Sequence, residues 1–531
     1  MNRNTIILFT IFSFISVLSL SIFILMTGHL HEDAYILFIY AENLANGHGI
    51  SYYPGGSKTE GATDFLWMAI LSSMNYIGLD VAISAALVNS IGITISSFAI
   101  LSILKNNQQK LLALLYIIIL VTSDIVSASI SGFSTGLYTG LVSLIFISLI
   151  KDRSESIYLV PILSIVIALV RPDGVIIGII STIVGLHLTI IRNKKVKKYL
   201  LLSTFSLIVG VIYFIWRYNY FGYLLPLPLY VKSSSSLLLP GWNSHVHWIN
   251  NNFLLITSTL LLLLTSKEKR ILSLVSTPIL ALFITLTFAT LSQNIAHRFQ
   301  APVTINLILL SAYLSSRVDT TKSRFFILLF VIPALIIANN FKSIKNEIGH
   351  LRNDTYINYF PFYLQKSLDD STVIALTEAG RFAYWADGKK IDLVGLNTAK
   401  TAINGASVKL LEKESPDLIF IHIAGTINIE SLCDVNICEM DIDDITDSII
   451  YNNDWRKINN GVFRSPYVVY EYLENNADSY AIYTVKYFNK YRHIYALKSD
   501  SKITKEEFVE ALKKSFNSDY HLSYLDMKKI I

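Results

Sequence analysis

The chain has 531 residues, of which 52% are hydrophobic and 16% are charged, and its formal net charge is +5. Ordinary soluble domains are about 45–50% apolar even when glycine is counted as apolar. The excess is uneven, because only twelve of the 39 acidic residues lie before residue 340. These features exclude a soluble architecture for the part before residue 340, and the small positive charge does not indicate nucleic-acid binding.

Long apolar runs dominate this first part. A helix needs about 20 mainly apolar residues to cross the hydrocarbon core of a bilayer. Runs of this kind predict eleven spans, at residues 5–27, 82–104, 111–130, 133–150, 157–171, 174–191, 199–216, 250–265, 271–291, 302–316 and 325–339. The stretch 65–78 would change the topology if it crossed fully, so we interpret it as a re-entrant or interfacial helix. The fold class predicted is a polytopic α-helical membrane protein.

Basic residues are concentrated in alternate loops between these spans. The basic set of loops contains Lys105, Lys110, Lys151, Arg153, Arg192, Lys194, Lys195, Lys197, Lys198, Lys267, Lys269, Arg270, Arg317, Lys322 and Arg324. The positive-inside rule places this set in the cytoplasm. We therefore predict a multi-pass protein of the bacterial inner (plasma) membrane, with a cytoplasmic N-terminus, a transmembrane domain at 1–340 and an extracytoplasmic domain at 341–531.

The first predicted outer loop, residues 28–80, contains six acidic residues. Charges close to a bilayer are costly and are often functional. Glu32 and Asp33 stand where the first span leaves the membrane. Because adjacent residues of a helix point in different directions, we expect different roles for them. One would be a general base for an acceptor hydroxyl, and the other would hold a sugar hydroxyl or a metal. The alternative is a solvated pair that ends a helix.

A few cations lie at the outer ends of later spans. Guanidinium and ammonium groups bind phosphate, and arginine does so bidentately. Taken singly, each is more typical of a side chain that anchors a span at the headgroups. Taken together, they predict a phosphate site formed by Arg171, Arg217, Lys232 and Arg298. The same outer loops provide the predicted substrate-binding residues Tyr35, His48, Lys58, Glu60 and His297.

The part after residue 340 has a different pattern. The runs STVIALTEAG and PDLIFIHIAG are strand-like and alternate with helix-like stretches, which predicts a small α/β domain. The chain has two cysteines, Cys433 and Cys438, both in this domain. On the outer side of the membrane a local disulfide is the expected state, and two free thiols are the alternative.

One segment carries a family resemblance. HEDAYILFIYAENLANGHGISYYPGGSKTEGATDFLW resembles the first outer loop of GT-C membrane glycosyltransferases, most closely the mycobacterial-type terminal arabinofuranosyltransferases and their bacterial relatives. The matching residues are Glu32, Asp33, Ala34, Gly47, Gly49, Glu60, Gly61, Thr63, Leu66 and Trp67. The blocks VRPDG, YFGYLLPLPLYVK, HRFQAP and EAGRFAYWADGKKIDLVGLN resemble later family segments in the same order. Two positions depart from the family pattern, because Glu32 replaces a frequent Asp and Ser134 replaces a usual Glu.

The resemblance implies an inverting transfer of a sugar, arabinofuranose in the resembling family, from a polyprenyl-phosphate donor to a cell-surface glycan, glycolipid or protein. Carried over, Asp33 is the base and Glu32 supports it. A phosphate leaving group needs a cationic clamp and no general acid. No cofactor is predicted with certainty, and a divalent cation, if one is used, would bind Glu32 and Asp33.

Three other functions remain open from the sequence. The first is a transporter or flippase for a lipid-linked sugar, which would be expected to carry ionisable residues at mid-membrane. The second is an oligosaccharide ligase or polymerase that uses a similar lipid donor. The third is a non-catalytic receptor or scaffold, for which mutation of the first-loop acids would have no effect.

Overall fold

The computed structural model describes residues 3–104, 109–152, 155–232, 239–291, 293–318, 327–422, 433, 435–444, 461–488 and 491–530. The chain forms two compact units. The membrane unit comprises Met1–Leu25, Asp64–Asn219 and Leu237–Arg352, and the sheet unit comprises Met26–Thr63, Tyr220–Ser236 and Asn353–Ile531. This division differs from the predicted boundary at residue 340, because most of the first loop packs with the C-terminal residues. Tyr40, for example, donates a hydrogen bond to the Asn397 side chain at 3.1 Å.

Helices are numbered here along the whole chain. In the described residues they are α1 (Arg3–Thr27), α2 (Glu32–Ala45), α3 (Phe65–Tyr76), α4 (Val81–Ile103), α5 (Lys110–Thr122), α6 (Asp124–Ile130), α7 (Thr135–Ile150), α8 (Val160–Val170), α9 (Gly174–Ile191), α10 (Val196–Phe221), α11 (Leu227–Lys232), α12 (Trp242–Asn251), α13 (Phe253–Thr265), α14 (Lys269–Thr287), α15 (Ala301–Ser316), α16 (Ile332–Leu351), α17 (Phe360–Leu364), α18 (Arg381–Trp385), α19 (Ala399–Asn404), α20 (Val408–Glu414), α21 (Gly461–Glu474), α22 (Lys505–Phe516) and α23 (Tyr524–Ile530). Helices α2, α11 and α17–α23 belong to the sheet unit.

The described helices include six that are long and apolar enough to cross a membrane, or up to eight if two bent pairs each form one span. The bends are 44° between α5 and α6 and 77° between α12 and α13. Three shorter apolar helices are Thr135–Ile150, Glu155–Val170 and Ala301–Ser316. The predicted runs overlap these helices, and the predicted class of polytopic membrane protein is confirmed. The bend between α5 and α6 was not predicted, because the apolar run 111–130 shows no break in direction. Helix α12 precedes the predicted run 250–265, so the second bend was not predicted either.

The stretch 65–78 contains helix α3, which has 12 residues. At 1.5 Å per residue this helix is about 18 Å long, too short to cross roughly 30 Å of hydrocarbon. Its length agrees with the re-entrant or interfacial interpretation. The orientation of the spans stays a prediction, and four of the loop cations on which it depends, Lys105, Arg153, Lys322 and Arg324, lie outside the described residues.

Small residues bring helices of the membrane unit together. A Cβ atom added at Gly92 of α4 would lie 2.1 Å from the backbone oxygen of Gly136 in α7. One added at Gly140 would lie 2.7 Å from the backbone oxygen of Gly92. Helices in lipid associate through such close backbone contact, since lipid already solvates their apolar side chains. The glycines of TGLYTG therefore fix the α4–α7 contact, next to the loop that carries Ser134.

The sheet unit contains a six-stranded mixed sheet. Its strands are β1 (Val373–Leu376), β2 (Lys389–Asp392), β3 (Leu418–His422), β4 (Ile437–Met440), β5 (Tyr480–Phe488) and β6 (Tyr491–Lys498), in the spatial order β2-β1-β3-β6-β5-β4. Strand β1 is parallel to β2 and β3, with Ala375 opposite Ile419, and the remaining pairs are antiparallel. Strands β1 and β3 are buried apolar runs, as expected for central parallel strands. The predicted α/β domain is confirmed.

Candidate active site

The acid pair, Glu32 and Asp33, opens helix α2 of the sheet unit. His31 caps this helix, and its ring Nδ1 accepts a hydrogen bond from the Asp33 N–H at 3.4 Å. Acidic residues in a first helical turn are stabilised by the positive end of the helix dipole. The Glu32 and Asp33 side chains hydrogen-bond each other. The structure therefore brings together two carboxyl groups that were expected to point in different directions.

A second segment of the sheet unit, Glu378–Arg381, lies against the acid pair. The Gly380 N–H donates to Glu32 Oε1. Burial, and then the negative charges of Glu378 and Asp33, raise the pKa of Glu32 well above its ordinary value. Two interacting carboxyl groups lose their protons in two steps, and a raised pKa favours the protonated form of Glu32. A protonated Glu32 can donate a hydrogen bond to Asp33.

Four predicted substrate-binding residues also lie in the sheet unit, in different surroundings. Tyr35 is fully buried, with its ring centroid 5.0 Å from that of Tyr384, which favours a packing role. His48 is exposed. The Lys58 ammonium lies 4.5 Å from the ring centroid of Tyr220. Glu60 is buried.

The arginine cluster is a group of charged side chains in the membrane unit, built around Arg171, Arg298, Asp64 and Asp173. Arg171 is 5% exposed and binds Asp173 bidentately, at 3.0 Å from Nε and 3.2 Å from Nη2. Its guanidinium lies 5.3 Å from the centroid of Phe299, and that of Arg298 lies 5.2 Å from the same ring. Stacking on a ring holds the planar guanidinium in a defined orientation.

Asp64 connects the arginine cluster to Ser134. The Ser134 hydroxyl donates to Asp64 Oδ2 at 2.6 Å. Burial raises the pKa of Asp64, and the positive charge of Arg171 opposes this effect. The serine that departs from the family pattern thus hydrogen-bonds a carboxylate. A glutamate there would bring a second negative charge to Asp64.

The other predicted cations of the outer face have separate environments. Arg217 is buried, and its guanidinium lies 6.0 Å from the ring centroid of Phe214. Lys232 ends helix α11, but its side chain lies outside the described residues. His297 Nε2 is hydrogen-bonded to the Asn251 amide at 2.8 Å, and burial lowers the pKa of this histidine.

The two cysteines are paired in the structure. Cys433 and Cys438 form a disulfide with their Cα atoms 6.4 Å apart. Arg492 Nη2 contacts Cys433 Sγ at 3.0 Å and also donates to the Thr484 carbonyl at 3.1 Å. This arginine joins the small disulfide loop to strand β5. The oxidation state in the cell stays a prediction.

The acid pair is also the place where the sequence allows a metal ion. In the part of the chain that the structure describes, no group of three or more His, Cys, Asp or Glu residues is arranged to hold a metal ion. Glu32 and Asp33 are the residues that would contact a divalent cation if one is used.

The sequence did not indicate several residues of the arginine cluster and of the surroundings of the acid pair. It assigned no role to Asp64 and Asp173, although both lie in the resembling blocks EGATDFLW and VRPDG. Glu378 and Gly380 also lie in a resembling block, EAGRFAYWADGKKIDLVGLN. The block order was a usable signal, but nothing in the sequence shows that a segment about 350 residues later contacts the acid pair.

Comparison with known proteins adds evidence on the fold. A family model described as "Domain of unknown function (DUF8728)" matches residues 355–485. No curated protein sequence matches the chain. The fold is similar to that of ArnT from Cupriavidus metallidurans bound to undecaprenyl phosphate, with a TM-score of 0.60 and 10% identity over 94% of this chain and 99% of that one.

Two further solved structures are similar to a lower degree. Apo ArnT from the same organism gives a TM-score of 0.49 and 12% identity over 77% of this chain and 92% of that chain. The apo oligosaccharyltransferase of Archaeoglobus fulgidus gives a TM-score of 0.49 and 10% identity over 81% of this chain and 71% of that chain. At such identities the likeness establishes the fold alone. The likeness to ArnT bound to undecaprenyl phosphate agrees with the fold that the first-loop resemblance implies, and arabinofuranose specificity is not shown.

Proposed function

We propose that this protein is an inverting membrane glycosyltransferase that acts on the outer side of the bacterial inner membrane. It takes a sugar from a polyprenyl-phosphate donor and transfers it to a cell-surface glycan, glycolipid or protein. The observation that carries the proposal is the hydrogen-bonded acid pair at the start of α2, within a GT-C fold. The similar ArnT structure contains bound undecaprenyl phosphate, which supports a lipid-phosphate donor here.

Asp33 is the proposed general base. It removes the proton of the acceptor hydroxyl as the acceptor oxygen attacks the anomeric carbon. The bond from that carbon to the phosphate oxygen breaks, and the polyprenyl phosphate leaves with the bonding electrons. Glu32, with its raised pKa, donates a hydrogen bond to Asp33 and keeps the pair from carrying two charges. A correctly placed base contributes about 10²–10⁴-fold to the rate.

The proposed ligands of the donor phosphate are Arg171, Arg217, Lys232 and Arg298. Their contacts suggest unequal contributions. Arg171 already uses its bidentate edge for Asp173. The Arg298 guanidinium lies 3.9 Å from the ring centroid of Phe133 and 5.2 Å from that of Phe299, and such contacts orient the planar group. Because Arg171 is held by Asp173, we assign the strongest phosphate contact to Arg298. The sugar is arabinofuranose by resemblance only.

A deletion strain provides the test. The surface glycans, glycolipids and glycoproteins are compared with those of the same strain complemented with wild-type protein or with Asp33→Asn. We expect one sugar-bearing product to disappear on deletion, to return with wild type and to stay absent with Asp33→Asn at equal membrane abundance. A product fully restored by Asp33→Asn would contradict the proposal. If the protein were a flippase, the deletion strain would accumulate the lipid-linked sugar inside the cell, and Asp33→Asn would restore the product as well as wild type does.

A further inference from the structure

We propose that Gly380 and Arg381 are positioning residues that fix the start of helix α2 and thereby the direction of the Glu32 and Asp33 carboxyl groups. This inference rests on the proposed function, since it assumes that the acid pair is catalytic. The two residues lie at the beginning of helix α18, more than 340 positions along the chain from the acids they hold.

Gly380 is required for space. A Cβ atom at this position would lie 2.0 Å from the backbone oxygen of Glu32 and 2.5 Å from its Oε1. The nearer atom belongs to the backbone, so a side-chain rotation cannot relieve the contact. Gly380 has a φ of −99° and a ψ of −93°, and the close approach to Glu32 leaves no space for a Cβ atom. The same approach lets the Gly380 N–H donate to Glu32.

Arg381 holds the chain on both sides of the acid pair. Its Nη2 donates to the Leu30 carbonyl at 3.0 Å, two residues before Glu32. Its Nη1 donates to the Asn358 side chain, and the guanidinium lies 5.9 Å from the ring centroid of Tyr35. Leu30 is only 4% exposed, so loss of this donor would leave a buried carbonyl without a strong partner.

The other end of α18 contacts the same catalytic helix. The Tyr384 hydroxyl donates to Glu42 of α2 at 2.8 Å, and Lys528 of the C-terminal helix α23 binds the same Glu42 oxygen at 2.8 Å. Helix α18 therefore contacts α2 near its first and third turns. Because two separated contacts fix both position and rotation, the acid pair can hold one orientation as substrate binds.

This geometry predicts a kinetic effect rather than a loss of binding. A misplacement of about 1 Å in a catalytic group can lower the rate of the chemical step by roughly 10²-fold. The Gly380→Ala change must move the Glu32 backbone away from its present place. We expect kcat to fall by about 10²-fold while KM for the lipid donor changes by less than about threefold.

The experiment uses full-length protein in proteoliposomes with a synthetic polyprenyl-phosphate sugar as donor and a cell-envelope extract of the deletion strain as the source of acceptor, and it follows release of polyprenyl phosphate. Gly349→Ala is the matched control, because a Cβ atom at Gly349 meets nothing within 4 Å. Gly349→Ala should keep the wild-type kcat and KM. A Gly380→Ala protein with wild-type kcat would overturn the inference, even if Asp33→Asn is inactive. A wild-type protein without transfer activity would remove the proposed function and this inference with it.

The Arg381 variants keep the inference testable if Gly380→Ala fails to fold. Arg381→Met should lower kcat, and Arg381→Lys should recover part of the loss because it keeps one charged donor for the Leu30 carbonyl. The melting temperature of each variant is measured in the same detergent. Equal activity of the Met and Lys variants, with kcat following only the folded fraction, would show a merely structural role and overturn the positioning role.

Discussion

The membrane unit and the sheet unit differ in the kind of packing that stabilises each of them internally. In the membrane unit, helices α4 and α7 meet through backbone atoms at Gly92, Gly136 and Gly140. In the sheet unit, the ring centroid of Phe360 lies 5.1 Å from that of Tyr495 and 5.3 Å from that of Phe508. Lipid solvates apolar side chains as well as a neighbouring helix does, so close backbone packing replaces the hydrophobic gain that large rings provide in a water-exposed domain.

Most of the proposed phosphate ligands lie in a different unit from the acid pair. Three of the four proposed phosphate ligands, Arg171, Arg217 and Arg298, belong to the membrane unit, whereas Lys232 and the acid pair belong to the sheet unit. Glu32 accepts a hydrogen bond from Gly380 of its own unit, and Arg171 binds Asp173 of its own unit. A substitution in the membrane unit should therefore affect helix packing or donor binding, and a substitution in the sheet unit should affect the stability of that unit or the acid pair.

The largest effect is expected from crowding the α4–α7 contact. A Cβ atom at Gly136 would lie 2.7 Å from the Asn89 backbone oxygen and 2.9 Å from its Cα atom, so Gly136→Leu must separate the two helices. We expect little monodisperse protein by size-exclusion chromatography after extraction. Gly349→Leu, at an exposed position with no atom within 4 Å of the added Cβ, should behave as wild type. Equal yields of the two variants would refute the backbone-packing account.

Truncation of a side chain in the aromatic core should have a smaller effect than Gly136→Leu, but still a large one. Phe360 is fully buried, and Phe360→Ala is expected to lower the free energy of unfolding of the sheet unit by about 3–5 kcal/mol. Chemical denaturation followed by circular dichroism or tryptophan fluorescence measures this change. A loss below about 1 kcal/mol would mean that the rings do not form a tightly packed core.

The arginine cluster allows a contrast between two residues of similar charge. Arg298→Gln should raise KM for the lipid donor by about 10-fold or more, the equivalent of one charge-assisted hydrogen bond, with little effect on protein yield. Arg171→Gln leaves Asp173 without its bidentate partner, so reduced yield is expected first. The opposite pattern, with donor affinity lost only in Arg171→Gln, would move the phosphate contact to Arg171.

The smallest predicted effect concerns pH. The pKa of Glu32 is raised above its ordinary 4.5 in the folded chain, so the folded state binds more protons than the unfolded state above that pH. Stability should therefore fall as pH rises from the pKa of Glu32 in the unfolded chain to its higher pKa in the folded chain. Glu32→Gln cannot ionise and lacks this loss. Its melting temperature, relative to wild type, should increase with pH. A constant difference between the two proteins across pH would contradict the raised pKa.

The sequence was sufficient for features that depend on composition or local pattern. The apolar runs predicted the membrane class, and STVIALTEAG and PDLIFIHIAG predicted strands β1 and β3. The Glu–Asp pair was recognised from its place after the first run. The contact of Gly380 with Glu32 could not be predicted, because no pattern links positions so far apart. The bend at Ser123, between α5 and α6, was also missed, since the predicted run 111–130 continues through it.

The most direct test of the catalytic assignment is a single-turnover measurement with the purified protein and a synthetic polyprenyl-phosphate sugar. The rate of polyprenyl phosphate release is compared for wild type, Asp33→Asn and Asp33→Glu, with donor binding measured separately. We predict that Asp33→Asn lowers the chemical rate by about 10²–10⁴-fold with unchanged donor affinity, and that Asp33→Glu retains a measurable part of it. A wild-type chemical rate in Asp33→Asn would contradict the assignment of the acid pair as the catalytic base.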